Sequence, residues 1–282
     1  MRKKWNMKKV IFYILGLLVI PINAQENFEV YYEESEKGYT IYADNGEFSP
    51  VSVEIDFTIE NLTSSIGDIK IIKVPAETEK YYIADLVIVD RRKSVRLGFG
   101  VRYNHGNHLQ ESYDTDFVYQ LPFKKGTTHM VTQGYNGKTS HQNEYALDFR
   151  MPVGTAIYAA RGGRIVLVEE NFDKACTSSN CAKFNNYILV YHKDGTFAEY
   201  THIRKNGSIV KAGDTIEIGE LIGYSGNVGW STGPHLHFIV FLQRFKTRET
   251  LPTKFRVGKG EEIIELQEKT NYGRLYESRS HK

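Results

Sequence analysis

Residues 51 to 60, VSVEIDFTIE, alternate without a break: Val51, Val53, Ile55, Phe57 and Ile59 fall on one side, with Ser, Glu, Asp, Thr and Glu between them. A period of two is the signature of a β-strand with one buried and one wet face. Shorter runs of the same kind follow at IKIIKV, YYIADLVIV and SVRLGFGVRY, and no 3.6-residue periodicity interrupts residues 25 to 115. That pattern predicts a small antiparallel sandwich over 25–117. From about residue 118 glycines punctuate short strands, as in GTAIYAARGGRIVLVEE, NNYILVYHKDGTFAEYTH and AGDTIEIGELIGYSG. This stretch reads as a second all-β domain built from hairpins over 118–250. HKDG between two alternating runs is a hairpin turn, which places His192 in a surface turn. The remainder, 251–282, reads as a short strand or helix and a frayed tail, with His281 in the tail. No fixed-period repeat and no low-complexity tract is present.

Two domains suit a chain of 282 residues. The first 24 residues have the form of an export signal: Arg2, Lys3, Lys4, Lys8 and Lys9 precede an apolar run from Val10 to Ile20, then Pro21 and a cleavage site after Ala24. The run is shorter than the roughly 20 apolar residues that span a bilayer, so no membrane span is expected after cleavage. Removal takes away five positive side chains and no negative one, shifting the net charge from +2 to −3. That balance argues against a nucleic-acid partner. The only cysteines, Cys176 and Cys181 in CTSSNC, read as a small disulfide loop in an exported protein. Its loop-closure contribution is about 2 kcal/mol. The rival reading, structural zinc, wants four ligands and finds no second cysteine pair.

The chemistry concentrates in TGPHLHFIVF, residues 232 to 241, which spends two of the nine histidines on one strand. Residues two apart on a strand share a face, so His235 and His237 point the same way while Leu236, Phe238 and Val240 point the other. Two adjacent imidazoles fill a core poorly, because each carries two polar nitrogens that need partners. A metal or proton-transfer site is one reading, and a pair of part-exposed surface histidines is the other. HQNEYALDF adds His141 and Asp148, and EYTHI adds His202. Hydrolytic zinc sites are held by a few nitrogen and carboxylate ligands with one position left for water. His105 and His108, in the polar stretch YNHGNHLQ, read as solvated, and His129 begins a strand without a companion.

Together SHQNEYALDF, MPVGTAIYAARGGRI, EYTHI and GYSGNVGWSTGPHLHF resemble, in that order, the motifs of the lysostaphin-type (LytM-like) zinc metallopeptidases, a family of peptidoglycan endopeptidases. The resemblance covers roughly residues 118 to 250. It implies a small antiparallel β-sheet peptidase domain with its site in a groove. It also implies a Zn2+ cofactor held by His141, Asp148 and His237 with a water as fourth ligand, and His202 and His235 as the catalytic pair. The implied partner is the peptide stem or crosslink of peptidoglycan, in the periplasm or outside the cell. Relatives of the family that have lost their ligands act instead as regulators of cell-wall amidases. An envelope-binding module using the first domain is a third reading, and neither of these needs stoichiometric metal.

One departure stands out. The family's first motif is HxxxD, whereas here six residues separate His141 from Asp148, and the usual spacing is occupied by Glu144, itself an adequate ligand. A longer loop that returns His141 to the metal is the reading preferred here. Tyr135, in QGYNG, reads either as an oxyanion donor or as packing. Trp230 reads either as a groove wall or as a half-buried loop anchor.

Overall fold

The alternating stretch is a strand over Val51–Glu60, with Val51, Val53 and Ile55 fully buried. Its other face is wet only from Asp56 onward, because Ser52 and Glu54 are buried as well. Glu54 is tolerated there because the guanidinium of Arg102 pairs with its carboxylate. The computed structural model describes residues 27–277, so the leader reading at 1–24 and His281 lie outside the described residues. The chain divides into two units between Asn104 and His105.

In the first unit a four-stranded sheet runs in the order Phe28–Ser35, Gly38–Asn45, Thr78–Ile88, Leu62–Ser64. A three-stranded sheet runs Ile69–Val74, Val51–Glu60, Arg96–His105. Buried side chains of both sheets, among them Ile41, Val53, Ile55 and Leu86, form one apolar cluster.

The second unit is organised by a nine-stranded sheet whose pairings are all antiparallel. Its middle runs Tyr187–Tyr191, Phe197–Thr201, His235–Arg244, Ala146–Arg150, Thr127–Gln133. Along His235–Arg244, Leu236, Phe238 and Val240 face the main core. Ile239 and Phe241, on the other face, belong to a second apolar cluster with Leu189 and Phe197. His235 and His237 begin that second face, so from His235 to Leu242 the strand is apolar on both sides except where the histidines stand. The final stretch contributes more than one short element: Lys254–Val257 pairs in parallel with Val118–Gln120, and Asn271–Arg274 closes one edge of the large sheet. Phe255 is consequently buried against Tyr119, Phe149 and Phe238.

Residues 105–117 belong with the second unit. Gln110 Nε2 donates to the carbonyl of Asp194, and the Asp114 amide donates to the Asp194 carboxylate. HKDG is the turn that joins Tyr187–Tyr191 to Phe197–Thr201, but His192 is not on the surface: it is fully buried. Its Nδ1–H is used by the carbonyl of Gly162 at 2.9 Å, and burial pushes its pKa down to about 4. A turn signal specifies backbone geometry and is silent on what packs over the turn.

Candidate metal centre

One cross-strand row builds the site. In register, Tyr187 stands opposite Thr201, Thr201 opposite His237, His237 opposite Asp148, and Asp148 opposite Gln133. Side chains directly opposite each other on one face approach within about 5.5 Å at Cβ, so pairing alone delivers Asp148 to His237. His141 arrives from the loop before Ala146–Arg150. Ligand atoms of His141, Asp148 and His237 all lie within 4.8 Å of one another, a group able to hold a metal ion.

The tautomers follow from the outer hydrogen bonds. His141 donates Nδ1–H to the carbonyl of Gly134 at 3.0 Å, which leaves Nε2 facing the site, 3.2 Å from His237 Nδ1. Asp148 Oδ1 lies 3.2 Å from His141 Nε2, 3.0 Å from His237 Nδ1 and 3.6 Å from His235 Nε2. Burial disfavours the Asp148 carboxylate, but hydrogen bonds from His141 and His237 and the charges of His237 and His235 hold it well below the usual carboxylate range. For His141 burial opposes protonation and is outweighed by the hydrogen bond and charge of Asp148, so its pKa is raised. Two imidazole nitrogens and one carboxylate oxygen converging in a half-dry pocket are the donor types that zinc takes in sites that keep an open position. The residues present fit Zn2+.

Beside the three, His202 and His235 stack with ring centroids 4.5 Å apart, and His202 lies 6.1 Å from His237. His202 Nδ1–H donates to the carbonyl of Val228 at 2.7 Å, and His235 Nδ1–H to that of Gly233, also at 2.7 Å. Both rings therefore turn Nε2 inward. Burial, reinforced by the charges of His235 and His237, takes the His202 pKa down to about 3, so this ring is neutral across the physiological range. His202 also has a φ of 69°, a left-handed conformation rare for a side chain of its size. Asn186 enforces it: its carbonyl accepts the amides of both His202 and Ile203, and its Nδ2 donates back to the Ile203 carbonyl.

Glu144 is elsewhere, its carboxylate 3.2 and 3.3 Å from Arg248 Nη2. The Tyr135 hydroxyl is occupied by the amide, carbonyl and hydroxyl of Thr253, and its ring packs edge-on against Tyr145. Trp230 is a half-buried anchor: its Nε1 donates to the carbonyl of Thr177, within the loop that the bonded pair Cys176 and Cys181 closes. Gly229 beside it has φ 80°, and a Cβ there would sit 1.9 Å from Asn185 Oδ1. The disulfide loop thus packs on the segment that carries Val228 and leads into the HxH strand. His105 and His108 are half-buried rather than freely solvated, and His129 gives Nδ1–H to the Arg150 carbonyl.

Fold and site together define a small all-β domain of metallohydrolase type. A family model described as Peptidase family M23 matches residues 142–248, so the second unit carries an M23 peptidase domain. An uncharacterized metalloprotease of Buchnera aphidicola is 36% identical over 115 residues, covering 38% of this chain and 27% of that protein. The glycyl-glycine endopeptidase ALE-1 of Staphylococcus capitis is 34% identical over 147 residues, covering 49% and 38%. The peptidoglycan DD-endopeptidase ShyA of Vibrio cholerae is 35% identical over 91 residues, covering 32% and 18%. The chain spans well under half the length of each of these relatives.

Sequence reasoning missed Gln133, Asn186 and the carbonyls of Gly134, Val228 and Gly233. Of these only Gln133 and Gly134 leave a trace, as the first two residues of QGYNG; the others act through backbone atoms or local turns that residue type does not report.

Proposed function

We propose that this protein is an exported zinc metalloendopeptidase that hydrolyses peptide bonds in the crosslinks of peptidoglycan, in the periplasm or outside the cell. The observation that carries this reading is the placement of His141, Asp148 and His237 within ligand distance of one another, with His202 and His235 at their side. His141, Asp148 and His237 would hold the zinc ion, which when bound would supply an activated water and polarise the scissile carbonyl. His202 Nε2, neutral and turned inward, would accept a proton from the attacking water; the imidazolium so formed, with His235 beside it, would stabilise the developing oxyanion and pass that same proton to the leaving amine. The Val228 and Gly233 carbonyls keep both imidazoles in the tautomer that this traffic requires.

The complete set of five side chains supports catalysis over the regulatory and envelope-binding readings. Peptidoglycan as substrate is supported by the ShyA relative. Purified peptidoglycan of several crosslink types, incubated with the zinc-loaded protein, with chelator, and with His237→Ala, tests the proposal by mass spectrometry of the released fragments. New peptide ends are expected only with the loaded wild type. No new ends on any crosslink type, or equal release by His237→Ala, sinks it.

A further inference from the structure

We propose that Gln133 is the positioning residue of this centre, its single amide holding the outward oxygen of Asp148 and the backbone that delivers His141 at the same time. The inference rests on reading His141, Asp148 and His237 as the metal ligands. Asp148 turns Oδ1 toward the imidazoles, and its other oxygen, Oδ2, accepts Gln133 Nε2–H at 3.1 Å. The second proton on Nε2 goes to Ser140 Oγ at 2.7 Å. On the other side of the amide, Oε1 accepts the backbone N–H groups of Thr139 at 3.1 Å and Ser140 at 3.2 Å. Both donors and both acceptor positions are engaged, and every partner belongs to a ligand or to the two residues before one.

The next residue completes the arrangement, since the carbonyl of Gly134 takes Nδ1–H of His141. One strand end therefore orients two ligands through adjacent residues. The absence of a side chain at Gly137 leaves room for this amide and for the Gly134 carbonyl beside it. A Cβ at 137 would lie 2.4 Å from Gln133 Cγ, 3.0 Å from Cδ and 3.0 Å from the Gly134 carbonyl oxygen that takes His141 Nδ1–H, although the backbone there is outside the left-handed region. The stretched spacing between His141 and Asp148 gains a physical account: a longer loop has more conformations to lose, and the hydrogen bonds from Thr139 and Ser140 to Gln133 remove that freedom before metal arrives.

Outer hydrogen-bond partners of metal ligands typically govern affinity by about 10–100-fold. Zn2+ dissociation constants by chelator competition, Co2+ absorption spectra, and thermal unfolding of the metal-free proteins are to be measured on wild type, Gln133→Met, Gly137→Ala and Ser140→Ala. Gln133→Met keeps the volume and loses every hydrogen bond of the amide; Gly137→Ala keeps the amide and displaces it together with the adjoining Gly134 carbonyl. Both are expected to weaken Zn2+ binding about 10–100-fold and to alter the Co2+ spectrum, with metal-free unfolding close to wild type, while Ser140→Ala loses less than about tenfold. Affinity and spectrum unchanged in both Gln133→Met and Gly137→Ala overturn the inference. So does a loss of affinity with an unaltered Co2+ spectrum, which marks a role confined to folding. Should Gln133→Met fail to fold, Gly137→Ala decides. Wild type that takes up no stoichiometric zinc sinks the ligand reading and this inference with it, whereas zinc-binding wild type with unaffected variants sinks this inference alone.

Discussion

The hairpin Tyr187–Thr201 has two ends, and both bury a histidine. At the turn end, His192 sits near Arg161 and Asp194, a pair whose side chains are 9% and 14% exposed and which meet at 2.8 Å. Asp194 also accepts the amide and hydroxyl of Thr196 and the amide of Asp114, and Arg161 lies over the ring of Phe117 at 4.0 Å. The two buried charges at that end, Arg161 and Asp194, neutralise each other, and Asp194 has backbone donors besides. At the open end, His202 shares its space with two more imidazoles, and the nearby carboxylate, Asp148, is approached by three ring nitrogens at once. Lone pairs converge there without a fixed positive group among them. The lesson is that burial and a shifted pKa are common to both ends, while what separates structure from chemistry is convergence: at the turn end a single ring nitrogen, His192 Nε2, is buried without a partner, whereas at the open end several ligand atoms share one gap.

If that contrast is right, substitutions at the two ends fail in different ways. Replacing a ligand has the largest effect: His141→Ala is expected to abolish stoichiometric zinc and hydrolysis together, checked by metal analysis and fragment release, a loss beyond the 10–100-fold of outer partners. His202→Ala is expected to keep zinc and lower kcat by about 10²–10⁴-fold with little change in KM. Loss of zinc instead would make His202 a ligand and redraw the open end. At the turn end Arg161→Ala leaves Asp194 buried without its partner and is expected to cost about 3–5 kcal/mol in chemical unfolding while kcat of the folded enzyme holds. A fall in kcat without loss of stability would erase the distinction between the ends.

The pH dependence is smaller. His192 is neutral when folded down to about pH 4, whereas the unfolded chain binds a proton there below about 6.5. Its contribution to stability is complete above pH 6.5 and is lost as pH falls toward 4, with a slope of at most about 1.4 kcal/mol per pH unit. His192→Phe removes that part of the slope in wild-type-against-variant unfolding curves. Smallest of all is Glu144→Ala. It breaks a part-exposed pair with Arg248 and is expected to leave zinc stoichiometry intact and stability within about 1 kcal/mol.

Much of the architecture was open to reading because β-structure writes itself at short range. The period of two in VSVEIDFTIE marks a strand from ten consecutive letters, and the shared face of His235 and His237 follows from the same geometry without any partner. The resemblance of four ordered motifs then named five site residues, and the structure brings those five side chains together. The reading failed where neighbours distant in sequence set the environment. Ser52 and Glu54 occupy the nominally wet face of their strand and are buried, and His192 sits in a well-marked turn and is the most enclosed of the described histidines together with His141.

By itself, then, the sequence determined the element type, the pairing of faces along each strand and the inventory of ligand chemistry, all of which depend on contacts within a few residues. Tertiary structure alone decided whether His141 or Glu144 joins Asp148 and His237. Glu144 lies at the expected spacing before Asp148, yet its carboxylate meets Arg248, while the longer loop brings His141 within ligand distance of Asp148 and His237. It also decided that the amide of Gln133 restrains the longer loop, since register between strands and the closing of a loop are fixed by packing over the whole sheet, and no local pattern encodes them.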